Sequence, residues 1–224
     1  MPGGWTMSMI WIPVQGQTWL GAAAAFVAMW AVMTMAMMLP SLVPTLWCYR
    51  QTLGKSGETR PSWLTALVGI GYFFVWTVFG MVLFPIGATL AEVEMRRPVL
   101  ARLVPIAVGM VVVVAGAFQF SAWKALHLAG CRELSRRNRA LPANASNAWH
   151  HGLRLGLHCT SGCAGLTAIL LVFGVMDLRV MALVTAAITA ERLVAEGERM
   201  ARAIGIILVG VGLLLIAKAA AGLL

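Results

Sequence analysis

Long apolar runs constrain this chain more than any other feature of its sequence. A helix that crosses a membrane needs about 20 consecutive apolar residues, because it rises about 1.5 Å per residue across a hydrocarbon core about 30 Å thick. Charged residues form only 11% of the chain, against about a quarter in soluble domains. The sequence therefore predicts an all-α transmembrane helical bundle that forms one domain over residues 1–224. Its about six spans are 19–39, 63–90, 103–123, 155–175, 180–195 and 203–224.

The basic residues predict how the bundle is oriented. When the loops are assigned alternately to two sides, twelve of the Lys and Arg residues fall on one side and five on the other. Cytoplasmic loops of membrane proteins carry an excess of these residues. The sequence therefore predicts a multi-pass protein of the bacterial inner membrane, with both termini in the periplasm and a basic cytoplasmic loop over 124–150.

The net charge of +9 invites comparison with nucleic-acid-binding proteins. Most of the Lys and Arg residues lie beside apolar runs, where they act as orientation signals. The expected partner is therefore the lipid bilayer, and no nucleic acid is expected.

Residues able to bind a soft or borderline metal are concentrated in the window 127–163. It holds all four histidines and three of the four cysteines, and only Cys48 lies outside it. Cys159 and Cys163 are four residues apart, so a helix places both sulfurs on adjacent turns of one face. Thiolate and imidazole groups are ligands of copper and zinc. The window therefore predicts a copper or zinc site.

Two arrangements of ligands are open within this window. Four ligands drawn from the two ends of the window suit tetrahedral Zn(II), whereas two or three sulfurs suffice for Cu(I). The two ends meet only if the third helix continues inward or the segment 124–131 folds back toward the bundle. Otherwise the histidines of the fourth helix are the nearer partners. The candidate ligands are Cys159, Cys163, Cys131, His127, His158 and His151.

The same residues also have structural interpretations. Cys is a small apolar residue, and the glycines around Cys159 and Cys163 are typical of closely packed helices. Met29, Met33 and Met37 share a stripe that either holds a soft ion or fills a helix interface. Redox-active thiols are a third reading, although a disulfide is disfavoured by helical spacing and by a reducing compartment.

Glu191 interrupts an apolar run, which makes it a candidate proton or cation site. It is equally an interfacial anchor paired with Arg192. No Ser/His/Asp arrangement or carboxylate pair specifies a reaction, so no catalytic residue is predicted.

Three blocks of residues carry a family resemblance. They are Trp30, Met33, Met37, Met38 and Pro40; then Lys124, His127, Cys131 and Arg132; then Gly152, Arg154, Gly156, Cys159, Gly162 and Cys163, followed by Gly174, Val175, Met176, Glu191 and Arg192. The pattern resembles a bacterial domain of unknown function described as a predicted metal-binding integral membrane protein family. The resemblance implies a helical membrane protein with a metal site, and it implies no reaction.

The chain departs from the family pattern at several positions. His127 stands where the family tends to have Cys, which keeps a metal-binding residue type. Ala164 stands where the family has the second of two adjacent cysteines, Asp177 stands for Asn, and Arg192 stands for Lys. The loss of one cysteine leaves the ligand set open.

Together these features predict an integral membrane protein that binds copper or zinc. Its expected role is to handle or deliver the metal, or to act as an accessory subunit of a membrane complex. The Cys/His site is expected between the third and fourth helices, with a membrane protein or a metallochaperone as partner. One alternative is a small metal or proton-coupled transporter whose path is lined by Glu191, Asp177 and the methionine stripe. Another is a structural membrane subunit without a metal.

Overall fold

Seven α-helices make up the part of the chain that the structure, a computed structural model, describes. That part comprises residues 18–55, 59–96, 98–137, 144–174, 177–194 and 196–221, without the side chains at 94, 98–102, 128 and 131–137. The helices are α1 (Trp19–Lys55), α2 (Pro61–Arg96), α3 (Pro98–Phe118), α4 (Ala122–Arg137), α5 (Ala145–Phe173), α6 (Leu178–Leu193) and α7 (Gly197–Ala221). The predicted all-α fold is confirmed for these residues. The last residue of the predicted spans 155–175 and 180–195, and the last three of 203–224, lie outside them.

Four of these helices, α1, α2, α5 and α7, are long and apolar enough to cross a membrane. Their outer faces, and those of α3 and α6, expose large apolar side chains such as Val32, Val114 and Leu183. The apolar part of α3 is shorter, over Leu103–Phe118. α6 has 16 residues, and a helix of that size is about 24 Å long, less than the hydrocarbon core of about 30 Å. The structure thus describes a helical protein with membrane-type apolar surfaces, and the count of about six spans stays a prediction.

The segment 124–150 is largely helical, which differs from the loop that the sequence predicts. α4 continues to Arg137, and α5 begins at Ala145 after Asn144, whose side chain accepts a hydrogen bond from the backbone of Ser146. Lys and Arg are good helix formers, and Asn is a preferred helix cap. The basic residues therefore mark the end of an apolar run, and the helix itself continues. Residues 138–143 lie outside the described part.

Helix α1 also runs beyond its predicted end. Pro40 and Pro44 lie inside the helix, which ends at Lys55. Proline removes one backbone donor, and helices in membranes accommodate it because neighbouring groups satisfy the freed carbonyl. The prolines therefore do not stop the helix.

α3 and α4 run one after the other along α5, in the opposite direction to it. Gly165 of α5 faces Ala115 of α3. Nearer the N-terminus of α5, His158 faces Gly130 of α4. The break between α3 and α4 lies at residues 119–121, where the Ser121 hydroxyl accepts a hydrogen bond from the first turn of α4. α4 therefore continues along the bundle instead of leaving it, which meets the condition for the two ends of the window to meet.

Glycines allow the closest helix approaches. A Cβ added at Gly152 of α5 would lie 2.3 Å from the carbonyl oxygen of Val68 in α2. Such contacts bring helix backbones together as they do in membrane proteins. α2 consequently packs against the face of α5 that carries the cysteines, so that Tyr72 reaches Cys159.

The main core holds the thiols among large apolar side chains. Trp30, Tyr72 and Trp76 are each at most 1% exposed, and the Trp30 indole donates a hydrogen bond of 2.9 Å to the backbone carbonyl of Trp76. Met33 and Met37 of the predicted stripe pack in this same core. The cysteines of α5 are therefore part of the bundle interior.

Candidate metal centre

Cys159 and Cys163 form a pair of buried thiols in the middle of α5. Their sulfurs are 3.9 Å apart, and the residues are 1% and 5% exposed. Both thiols are free. A disulfide bond is about 2.05 Å long, roughly half this separation. The spacing along the helix thus presents two sulfurs side by side, where a single ion can contact both.

Tyr72 supplies a hydrogen bond to one of these sulfurs. Its hydroxyl donates to Cys159 Sγ at 2.9 Å, and the whole side chain is buried. Groups that hydrogen-bond to a metal-binding atom orient it and tune its affinity. The sequence does not reveal this contact, because Tyr72 lies within an ordinary apolar run and is distant from the window in sequence.

A buried ion pair lies beside the thiols. Lys124 Nζ is 2.7 Å from Glu191 Oε2, and the two side chains are 3% and 2% exposed. The neighbouring Arg192 donates a hydrogen bond of 3.1 Å to the Ser41 hydroxyl in α1. The sequence offers Glu191 as a proton or cation site or as an anchor paired with Arg192, and the structure shows an ion pair between Glu191 and Lys124 of α4. The polar residues therefore link α4, α6 and α1 around the site.

A small cavity connects these groups. Its volume is about 10 Å³, which is enough for one water-sized particle. It is lined by Lys124, His127, His158, Cys159, Gly162, Cys163, Glu191 and Arg192. Thiols, imidazoles and fixed charges thus border a single space of the size of one small ion.

Two histidines face each other at the rim of this site. The ring centroids of His127 in α4 and His158 in α5 are 5.3 Å apart. Trp123 stacks on His127 with centroids 4.4 Å apart, and its backbone carbonyl is 2.8 Å from His127 Nδ1. Both histidine side chains are half-buried, in contrast to the thiols.

Not all predicted ligands are brought together. His151 stacks on Tyr49, with ring centroids 5.7 Å apart, in a second part of the core. The backbone of Cys131 follows Gly130, which faces His158, and the side chain of Cys131 lies outside the described part. Among the described residues, no group of three or more His, Cys, Asp or Glu side chains could hold a metal ion. The described candidates therefore form two pairs, Cys159 with Cys163 and His127 with His158.

Comparison with known proteins identifies the family to which this chain belongs. A family model described as PpoB2, copper chaperone, matches residues 27–215, which is most of the chain and includes every residue of the candidate site. No significant match was found among curated proteins or among solved structures. Because the match covers most of its length, the chain belongs to the PpoB2 copper chaperone family.

Proposed function

We propose that this protein is a multi-pass membrane copper chaperone that holds one Cu(I) ion between Cys159 and Cys163 and passes it to a partner protein. The observation that carries the proposal is the separation of 3.9 Å between the two buried sulfurs. With metal–sulfur bonds of about 2.3 Å, that separation corresponds to an angle of about 115° at the ion. Both sulfurs are therefore close enough to contact the same ion.

The charges around the thiols fit a singly charged ion. Two thiolates and one Cu(I) together carry a charge of −1. Lys124, Arg192 and Glu191, which line the same cavity, sum to +1. An uncompensated charge in an apolar interior is costly, and compensation removes most of that cost. The loaded site is therefore neutral overall, which suits its place in the core.

The ligand type and the family favour copper over zinc. Zn(II) in structural sites takes four ligands, whereas thiolates are soft ligands that select Cu(I). The two sulfurs are the only described thiols that line the cavity, and the family is one of copper chaperones. The proposal is accordingly made for Cu(I).

We further propose six passes through the bacterial inner membrane. The contacts that set α3 and α4 one after the other along α5 support counting these two helices as one broken pass. Cytoplasmic segments of membrane proteins carry an excess of Lys and Arg. The end of the bundle that carries the basic segment 124–150 therefore faces the cytoplasm, and the two termini face the periplasm. The partner is a membrane protein or a metallochaperone that exchanges copper with the site.

Copper binding by purified protein tests this function. The detergent-solubilised protein is prepared without chelators under reducing conditions, loaded with Cu(I) and washed with a weak competing chelator. We expect about one copper ion per chain in the wild type. The double variant Cys159→Ser/Cys163→Ser is expected to retain none, because hydroxyl groups do not hold soft Cu(I).

The matched control is Cys48→Ser, which removes an exposed free thiol away from the site. It is expected to retain the wild-type copper content. A wild type without stoichiometric copper, or a double variant that keeps it, would overturn the proposal.

A further inference from the structure

The hydrogen bond to His127 determines which of its nitrogens is available. A backbone carbonyl only accepts, so Nδ1 of His127 must donate to the Trp123 carbonyl, 2.8 Å away. In a neutral imidazole the other nitrogen, Nε2, then carries the lone pair. Metal-binding histidines commonly hold their second nitrogen on a backbone carbonyl in this way. His127 is thus arranged as a ligand.

His158 offers a second nitrogen beside it. Its Nδ1 is buried and has no hydrogen-bond partner within the part of the chain that the structure describes. Gly130 packs closely against this edge of the ring, and a Cβ added at Gly130 would lie only 3.0 Å from Nδ1. Buried polar atoms are normally satisfied. A bound ion or a water in the cavity that His158 lines would satisfy the nitrogen.

The separation of the two rings suits one shared ion. Metal–nitrogen bonds of about 2.0–2.1 Å place an ion about 3.2 Å from the centre of each ring. Two ring centroids 5.3 Å apart then correspond to an angle of about 110° at the ion. This is an ordinary coordination angle.

The histidines are also more exposed than the thiols. Both rings are half-buried, whereas Cys159 and Cys163 are 1% and 5% exposed, and all four residues line the same cavity. Imidazole is a borderline ligand and thiolate is a soft one, so a Cu(I) ion is held more strongly at the inner pair. An ion that arrives from outside therefore meets the weaker pair first.

We propose that His127 and His158 form a separate entry site that receives copper and transfers it to Cys159 and Cys163. This inference rests on the proposed function and adds a second site to it. The transfer is a ligand exchange in which copper stays Cu(I): its bonds to two nitrogens break and its bonds to two sulfurs form. The two thiol protons pass to the imidazole nitrogens that the ion vacates and then to water.

The rate of loading tests the proposal. Cu(I) is presented to the purified protein as a complex with a coloured chelator, and the loss of that complex is followed by stopped-flow absorbance. In His127→Ala and in His158→Ala we expect loading to slow by about tenfold or more. This is the lower end of the loss in metal affinity or activity that follows when a group supporting a metal site is removed. The final copper content and the equilibrium affinity of the thiols are expected to stay at the wild-type level.

His150→Ala is the matched control, because His150 is an exposed residue of α5 that does not line the cavity. It is expected to load at the wild-type rate. Size-exclusion profiles and circular dichroism verify that each variant is folded. Wild-type loading rates in both cavity variants would overturn the proposal. So would a loss of equilibrium affinity as large as that of the cysteine double variant, since the four residues would then be one site.

A second measurement separates this inference from the proposed function. Cys159→Ser/Cys163→Ser protein is titrated with Cu(II), and electron paramagnetic resonance reports nitrogen ligands. We expect nitrogen coupling that disappears when His158→Ala is added to the double variant. Its absence would overturn the entry site even if the thiols bind Cu(I). Its presence in a protein whose thiols bind no copper would retain the entry site and reject the proposed function.

Discussion

Replacing Glu191 by glutamine is expected to destabilise the protein strongly, because it leaves Lys124 buried without its counter-charge. The two side chains are 2% and 3% exposed, and their charged atoms are 2.7 Å apart. Removing one partner of a buried ion pair costs about 3–5 kcal/mol. Glutamine keeps an oxygen that accepts a hydrogen bond from Lys124, so we expect a loss near the lower value, about 3 kcal/mol.

This loss has a measurable size in thermal unfolding. For chains of about 150–250 residues, 1 kcal/mol shifts the Tm by about 2–4 °C. Glu191→Gln is therefore expected to lower the Tm by about 6–12 °C in detergent. The measurement is a circular dichroism melt at 222 nm, compared with the wild type in the same detergent.

Glu196→Gln is the matched control. Glu196 and Arg199 form a pair with the same separation of 2.7 Å, but their side chains are 60% and 77% exposed. Exposed ion pairs contribute less than about 1 kcal/mol. This variant is therefore expected to shift the Tm by no more than a few degrees, about 4 °C at most.

A double variant tests the cause of the effect. Lys124→Met/Glu191→Met removes both charges and keeps apolar side chains of similar size, and such replacements of buried pairs are often neutral or stabilising. We expect it to be clearly more stable than Glu191→Gln. The reasoning fails if Glu191→Gln melts like Glu196→Gln, or if the double variant is no more stable than the single one.

Two further predictions concern the site and the helix packing. Tyr72→Phe removes the hydrogen bond to the thiol pair and is expected to weaken Cu(I) binding by about tenfold in a chelator competition, whereas Tyr49→Phe should leave it unchanged. Gly212→Ala is expected to lower the free energy of unfolding by about 1–3 kcal/mol, because the new Cβ would lie 2.8 Å from a backbone nitrogen of α3. Gly210→Ala, two residues away with nothing within 4 Å, should be neutral or stabilising by up to about 1 kcal/mol in the same melt. A Gly212→Ala protein as stable as Gly210→Ala would contradict the close approach of α3 and α7.

The apolar runs predict the helices well but not their ends. Hydrophobicity reports where a helix leaves the hydrocarbon, and a helix can continue in water when its residues favour it. α1 accordingly runs through Pro40 and Pro44 to Lys55, and α4 carries its basic residues to Arg137. The structure differs from the predicted loop over 124–150 for this reason: a change in composition toward basic residues does not by itself change the backbone structure.

The candidate site was predictable only where its residues share a helix. The spacing of Cys159 and Cys163 follows from helix geometry, and the structure brings their sulfurs together. His151 and His158 share a face as well, but two turns separate them by about 10.5 Å along the axis. His151 consequently packs on Tyr49 instead of lining the cavity.

Contacts between helices could not be obtained from spacing. Lys124 and Glu191 are 67 residues apart, and Tyr72 and Cys159 are 87 residues apart. Nothing local in the sequence pairs them, because each pairing depends on how whole helices pack. A buried charge at the end of an apolar run indicates that a partner exists without indicating which one.

The arrangement of these groups supports the proposed copper exchange rather than the alternative of transport across the membrane. The groups suggested for a transport path have separate structural roles: Asp177 caps α6 by accepting hydrogen bonds from two backbone amides, whereas Glu191 pairs with Lys124 near the other end of that helix. The methionines of the stripe pack in the apolar core. The imidazole pair and the thiol pair, in contrast, border one cavity of about 10 Å³. Under the proposed function, copper that moves between these two pairs stays within that one cavity, as acceptance from and delivery to a partner require.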